Sequence, residues 1–148
     1  MRSRAAPPGD DSERIRFDAD DRGGVTVVVD GQPQSHVDLA DPGLLAFDYV
    51  SHLALVLGSL PPGPLRVTHV GGAGMTLARW VEWARPGSPQ VVLEPDAELT
   101  EAVRRRLPLP RGHRIRVRPV DGATGLRALR TASADAVVLD AYAAGRVP

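Results

Sequence analysis

Residues 67–80 read VTHVGGAGMTLARW, an apolar run that meets Gly71, Gly72 and Gly74 and then gives way to helical spacing. How this turn is read decides the fold. A strand that enters a glycine-rich turn and leaves as a helix is the first half of a βαβ unit. The unit then recurs down the chain: the helix-like "GMTLARWVEWA", the strand "QVVLE", the helix "DAELTEAVRRRL", the strand "RIRVRPV", the helix "ATGLRALRTA" and the strand "DAVVLD". Strands alternating with helices connect by right-handed crossovers and lie parallel. The expected fold is therefore α/β, a parallel sheet with helices on both faces.

Upstream of the turn the pattern changes. "IRFD" and "VTVVVDGQPQSHVDL" have the β-branched alternation of strands, and Asp30-Gly31 supplies a hairpin signal. Residues 14–42 are read as a small N-terminal β-hairpin element. Leu44, Leu45, Tyr49, Leu53 and Val56 then recur near helical spacing behind Asp41 and Pro42, an N-cap and first-turn pair, which predicts a helix over about 43–58. "PPGP" at 61–64 ends it. The Pro-, Gly- and acid-rich residues 1–13 are read as a disordered leader, so residues 43–148 hold the α/β domain.

Composition removes several function classes. All 18 basic residues are Arg, which excludes a Schiff-base lysine and the P-loop lysine. The absence of Cys excludes disulfides, thiolate nucleophiles and cysteine-bound zinc, and fits a cytoplasmic protein. Balanced charge, 18 acids against 18 bases, gives no field for nucleic acid or an anionic membrane. The longest apolar stretch, Leu53 to Leu57, is far too short to span a bilayer. His36, His52, His69 and His113 have no ligand spacing, so no metal is expected, and no serine sits in a G-x-S-x-G elbow. Trp80 and Trp83, three apart on a helix, read as packing residues, and "RIRVR" as a half-exposed strand rather than an RNA surface.

Two readings of the glycine turn stand. In open parallel sheets ligands gather at the carboxyl ends of the strands, and glycines let them approach the backbone. Glycines in such turns also serve close strand–helix packing alone. The dinucleotide fingerprint G-x-G-x-x-G fails in both registers, meeting Ala73 and Thr76 from Gly71, and Leu77 from Gly72. Three later strands, however, end in carboxylates. Glu94 stands where an acid binds ribose hydroxyls in nucleotide-binding α/β folds. Asp121 is placed to accept an adenine amine or to cap the next helix. Asp140 closes the last strand.

With these pieces in order, the chain resembles the spermidine synthase (polyamine aminopropyltransferase) family from about residue 25 onward. The matching segments are "VVVDGQPQSHVDLADP", "VGGAGM", "LEPD", "VDGA" and "VVLDAY". The resemblance implies a Rossmann-like fold of the class I methyltransferase type, lacking its C-terminal strands. It implies decarboxylated S-adenosylmethionine as aminopropyl donor, a polyamine as acceptor, and a homo-oligomer such as a dimer. Carried over by residue, Gly71 and Gly72 face the nucleoside and sulfonium, Glu94 the ribose and Asp121 the adenine. Gln34 matches a glutamine near the donor, and Asp140 the catalytic aspartate that takes the amine proton.

Departures from the family are equally specific. Where its members carry "GGGDG" this chain has "GGAGM", so Gly74 replaces the acid that contacts the donor's ammonium. "DAYAAG" replaces a "D-S-S/T-D-P" pattern and puts Ala143 where a second acid grips the diamine. The Tyr-His-Glu segment is missing, and Asp48, Tyr49 and His52 map onto it in no definite register. These losses keep two alternatives open: a methyltransferase-like protein that uses S-adenosylmethionine itself, and a non-catalytic remnant or assembly domain of the fold.

Overall fold

A computed structural model describes residues 13–141. The leader expected over residues 1–13 lies, Glu13 aside, outside the described residues, and so does "YAAGRVP" with Ala143.

The N-terminal element is a three-stranded antiparallel sheet, one strand more than a hairpin. β1 (Ile15–Ala19) pairs with β2 (Val25–Val29), which pairs with β3 (Gln32–Val37). Asp30 and Gly31 turn the chain between β2 and β3 at φ 49° and 73°. Two successive positive φ values are what a type I′ hairpin turn demands, which is why Asp-Gly signals it.

The helix α1 spans Asp48–Ser59 and starts later than the Asp41-Pro42 pair predicts. The reason is local competition for the backbone. The Asp38 carboxylate accepts the N–H groups of Ala40 and Asp41, and the Leu44 N–H bonds the Asp41 carbonyl, so the segment closes as turns. At its other end, α1 is closed by a distant side chain. The buried Arg85 guanidinium donates to the carbonyls of Leu57, Gly58, Leu60, Pro61 and Gly63. Those carbonyls include orphans that every helix end leaves, and a guanidinium fork can serve several at once.

From Val67 the strands and helices alternate as expected. β4 (Val67–Gly71), α2 (Thr76–Ala84), β5 (Gln90–Leu93), α3 (Ala97–Arg106), β6 (Ile115–Arg118), α4 (Gly122–Arg127) and β7 (Ala136–Asp140) succeed one another. The four strands are all parallel in the order β6-β5-β4-β7. β6 shows the alternation read from "RIRVR": Ile115 is buried and Arg116 and Arg118 are exposed.

Helices pack on both faces of the sheet, with Val137 and Leu139 of β7 left exposed on one of them. Val67, Val92, Ile115 and Val138 point to one side, where Leu77, Ala78 and Val81 of α2, Val50 and Leu57 of α1, and Leu99 and Val103 of α3 pack on them. Val27 and Val37 join this core, so the N-terminal sheet is seated on it. Val70 and Leu93 point the other way, toward α4. There Gly122 and Gly125 are needed, because a Cβ at either would strike the Val70 and Leu93 side chains respectively. Trp80 packs into the α1–α2 core, whereas Trp83 is 57% exposed and lies over Gly43. Among the described residues no helix is long and apolar enough to cross a membrane.

Candidate functional site

β4 has β5 on one side and β7 on the other: the chain runs outward from β4 through β5 to β6 and then crosses back to place β7 on the far side of β4. A sheet opens a crevice at the carboxyl ends of strands where its order reverses. A pocket of about 910 Å³ lies there, roofed by residues of the N-terminal sheet. Gln34, Gly71, Gly72, Glu94, Asp121 and Asp140 all line it. Gly74 does not.

Each glycine of the turn has its own constraint. Gly71 has φ 81°, and a Cβ on it would collide with the Asp140 carbonyl, so it permits β4 and β7 to close on each other. Gly72 has φ 117°, and the nearest atom a Cβ would meet is an Asp140 carboxylate oxygen at 4.0 Å, so its front faces open space. Gly74 is buried with its Cβ position directed at the N-terminal sheet, 3.0 Å from Ser35 Cβ and 3.1 Å from Val37 Cγ2. Ala73 at φ 36° and Met75 at φ 61° complete a left-handed passage into α2. The cost of such angles for residues with a Cβ, about 1 kcal/mol or more each, is met by surrounding bonds. The Met75 N–H bonds the Gly72 carbonyl at 2.6 Å, and Arg79 Nε bonds the Gly74 carbonyl at 3.0 Å.

The three strand-end acids sit in different electrostatic settings. Glu94 is partly buried, and desolvation raises its pKa; one of its oxygens accepts the Asp96 N–H at 3.0 Å. Asp140 is likewise raised by burial, against a hydrogen bond from Tyr49 that favours the charged form. Asp121 is exposed and caps α4. Its oxygens accept the Thr124 hydroxyl at 2.6 Å and the Thr124 N–H at 2.9 Å, and these bonds hold its carboxyl below the usual range. Asp121 thus caps the helix, as one sequence reading has it, and also lines the pocket.

Two further carboxylates, Asp30 and Asp96, line the same pocket. Asp96 caps α3 through the Leu99 N–H and is paired with Arg14 at 2.7 Å, which ties β1's entry to the pocket rim. Tyr49 is the residue that sequence reasoning could not assign. It reaches the pocket from α1 and bonds Asp140, whereas Asp48 and His52 beside it are exposed. The apolar spacing that Tyr49 shares with Leu45 and Leu53 turns it toward the core, but carries no sign that it meets Asp140.

No protein-family model matches the sequence, and no curated protein matches it. Among solved structures, the chain is similar to a probable spermidine synthase from Corynebacterium glutamicum, with a TM-score of 0.78 and 30% identity over 90% of this chain and 50% of that one. It is also similar to spermidine synthase from Thermotoga maritima, with a TM-score of 0.63 and 23% identity over 88% of this chain and 44% of that one. The chain thus spans about half the length of these structures or somewhat less.

Proposed function

Because this chain has a spermidine synthase-like fold, we propose that its pocket binds decarboxylated S-adenosylmethionine and presents it to the amine of a polyamine, as a cytoplasmic aminopropyltransferase. One observation carries this reading. Asp30, Glu94, Asp96, Asp121 and Asp140 line the pocket, and among the described residues no arginine does. Of these five acids only Asp96 has a described cation against it, Arg14. A site of this sign suits a ligand that bears a sulfonium and an ammonium and lacks a carboxylate. S-adenosylmethionine adds a carboxylate, which this lining repels and pairs with no cation.

In the proposed reaction the acceptor nitrogen attacks the donor carbon next to sulfur. A C–N bond forms, the C–S bond breaks, and methylthioadenosine leaves as a neutral thioether. The acceptor ammonium must lose a proton before its nitrogen can attack, and that proton passes to Asp140, which burial makes a better proton acceptor by raising its pKa. Glu94 would grip the ribose, Asp121 and Gly122 would border the adenine, and Gln34 would close the roof. A homo-oligomer is part of the proposal, supported by Leu55 and Val56, adjacent on α1 and 72% and 62% exposed.

A second reading, methyl transfer from S-adenosylmethionine, is favoured by Gly74, which offers no acid to the donor's ammonium. Calorimetric titration with decarboxylated S-adenosylmethionine, S-adenosylmethionine and methylthioadenosine tests both. Tightest binding of the decarboxylated donor is the expected result. Preference for the carboxylated one would move the chain to methyl transfer, and a folded protein that binds none of the three would overturn both readings.

A further inference from the structure

His69 lies on β4, two residues before Gly71 and on the face of the sheet that carries Val138 and Asp140. It is 3% exposed. Its Nε2 is 2.7 Å from Gln90 Oε1, and Gln90 Nε2 donates to the Ala78 carbonyl at 2.9 Å. The second bond fixes which end of the amide is oxygen, since a carbonyl accepts only from the NH₂ group. Gln90 Oε1 then needs a donor, so His69 carries its proton on Nε2 and leaves Nδ1 as an acceptor. Burial pushes the imidazole pKa down to about 4, so the ring is neutral at physiological pH.

His69 and Asp140 share the lining of a cavity of about 10 Å³ with Gly71, Gly72 and Met75. That is roughly the space of one water. An imidazole acceptor and a carboxylate have no proton to exchange between them, whereas a water has two O–H donors and satisfies both.

We propose that His69 is a positioning residue that holds one water against Asp140, and through it keeps that carboxylate charged and aimed at the large pocket. The inference rests on the role of Asp140 proposed above and adds the group behind it. A hydrogen bond donated to the charged form lowers a carboxyl pKa, so the water opposes the upward push of burial. Tyr49 from α1 acts in the same sense. The other titrating groups on this side are Asp30, Glu94, Asp96 and Asp121, which face Asp140 across the large pocket.

The test is NMR on the ligand-free protein, so its outcome does not depend on whether an aminopropyl group is transferred. Nitrogen-15 spectra should show His69 neutral, protonated at Nε2 and bare at Nδ1; a proton on Nδ1 would overturn the proposal. The side-chain carboxyl carbon of Asp140 should titrate about half a pH unit or more higher in His69→Leu than in the wild type. In His69→Asn, whose amide oxygen takes the place of Nδ1, it should return toward the wild-type midpoint. An unmoved midpoint in His69→Leu, or an equal rise in both variants, would show that no water-mediated bond is involved. Should a variant fail to fold, the wild-type nitrogen spectrum decides alone. Failure of donor binding with these titrations as expected would remove the proposed function and leave the His69 contact standing.

Discussion

The Ser35 hydroxyl on β3 accepts the Gly74 N–H at 3.0 Å and directs its own proton toward the Gly72 carbonyl at 3.4 Å. The N-terminal sheet is thus bonded to the glycine turn at both of its inner peptide groups. Ser35→Ala leaves the buried Gly74 N–H without a partner, which costs about 1 to 3 kcal/mol. Thermal denaturation should show the loss, and adenosyl ligands should bind more weakly because the turn is released. A variant with unchanged melting temperature and affinity would mean that the Met75 and Arg79 bonds hold the turn without Ser35.

Gly74→Asp restores the acid that the resemblance places in the turn, yet it should harm this protein. The new Cβ would come within 3.0 Å of Ser35 Cβ and 3.3 Å of Val27 Cγ2, atoms anchored to strands that cannot retreat freely. The carboxylate would then enter a buried, largely apolar contact. Overpacking and an unpaired buried charge together should cost about 2 kcal/mol or more. Chemical denaturation checks the direction. A Gly74→Asp protein as stable as the wild type, with tighter binding of the decarboxylated donor, would show that the turn can reorganise to aim the acid into the pocket.

The alternation from Val67 to Asp140 was legible because period-2 and period-3.6 patterns depend on each residue's own neighbours. Less legible was the division of labour among Gly71, Gly72 and Gly74. Packing and ligand approach make the same demand on a sequence, the absence of Cβ, and only the position of Asp140 and Ser35 in space separates them. The start of α1 departs from the sequence pattern for a related reason. Asp41-Pro42 has the form of a cap, but Asp38 had already taken the local N–H groups. Tyr49 meets Asp140 only through the tertiary fold, and Asp30 reaches the pocket only because β2 and β3 lie over it, so neither announces itself in its own segment.

Asp140→Asn should make the protein more stable at neutral pH. Burial raises the folded-state pKa of Asp140 above the value of about 3.9 that it has in an unfolded chain. Between those two values the folded state binds more protons, so stability falls as pH rises through that window, and the deficit is complete above the folded pKa. The amide carries no charge and keeps an oxygen for the Tyr49 hydroxyl. Melting temperatures should favour the variant at pH 7 and converge with the wild type as pH falls below the window. A variant less stable than the wild type at pH 7 would show that the charged form is the better bonded one.

Glu94 and Asp140 should separate in ligand binding. Glu94 stands at the end of β5 with one oxygen occupied by the Asp96 N–H, which leaves the other for a ligand hydroxyl. Every adenosyl ligand carries the ribose, so Glu94→Ala should weaken decarboxylated S-adenosylmethionine, S-adenosylmethionine and methylthioadenosine alike, each by about 1 to 3 kcal/mol. In the proposed reaction Asp140 acts on charge near the sulfonium and the amine. Asp140→Asn should therefore weaken the cationic ligands and spare methylthioadenosine, which is neutral at sulfur. Calorimetry with the three ligands on the two variants reads both patterns. A Glu94→Ala protein that loses only the cationic ligands would place Glu94 at the charged end of the pocket, and the ribose elsewhere.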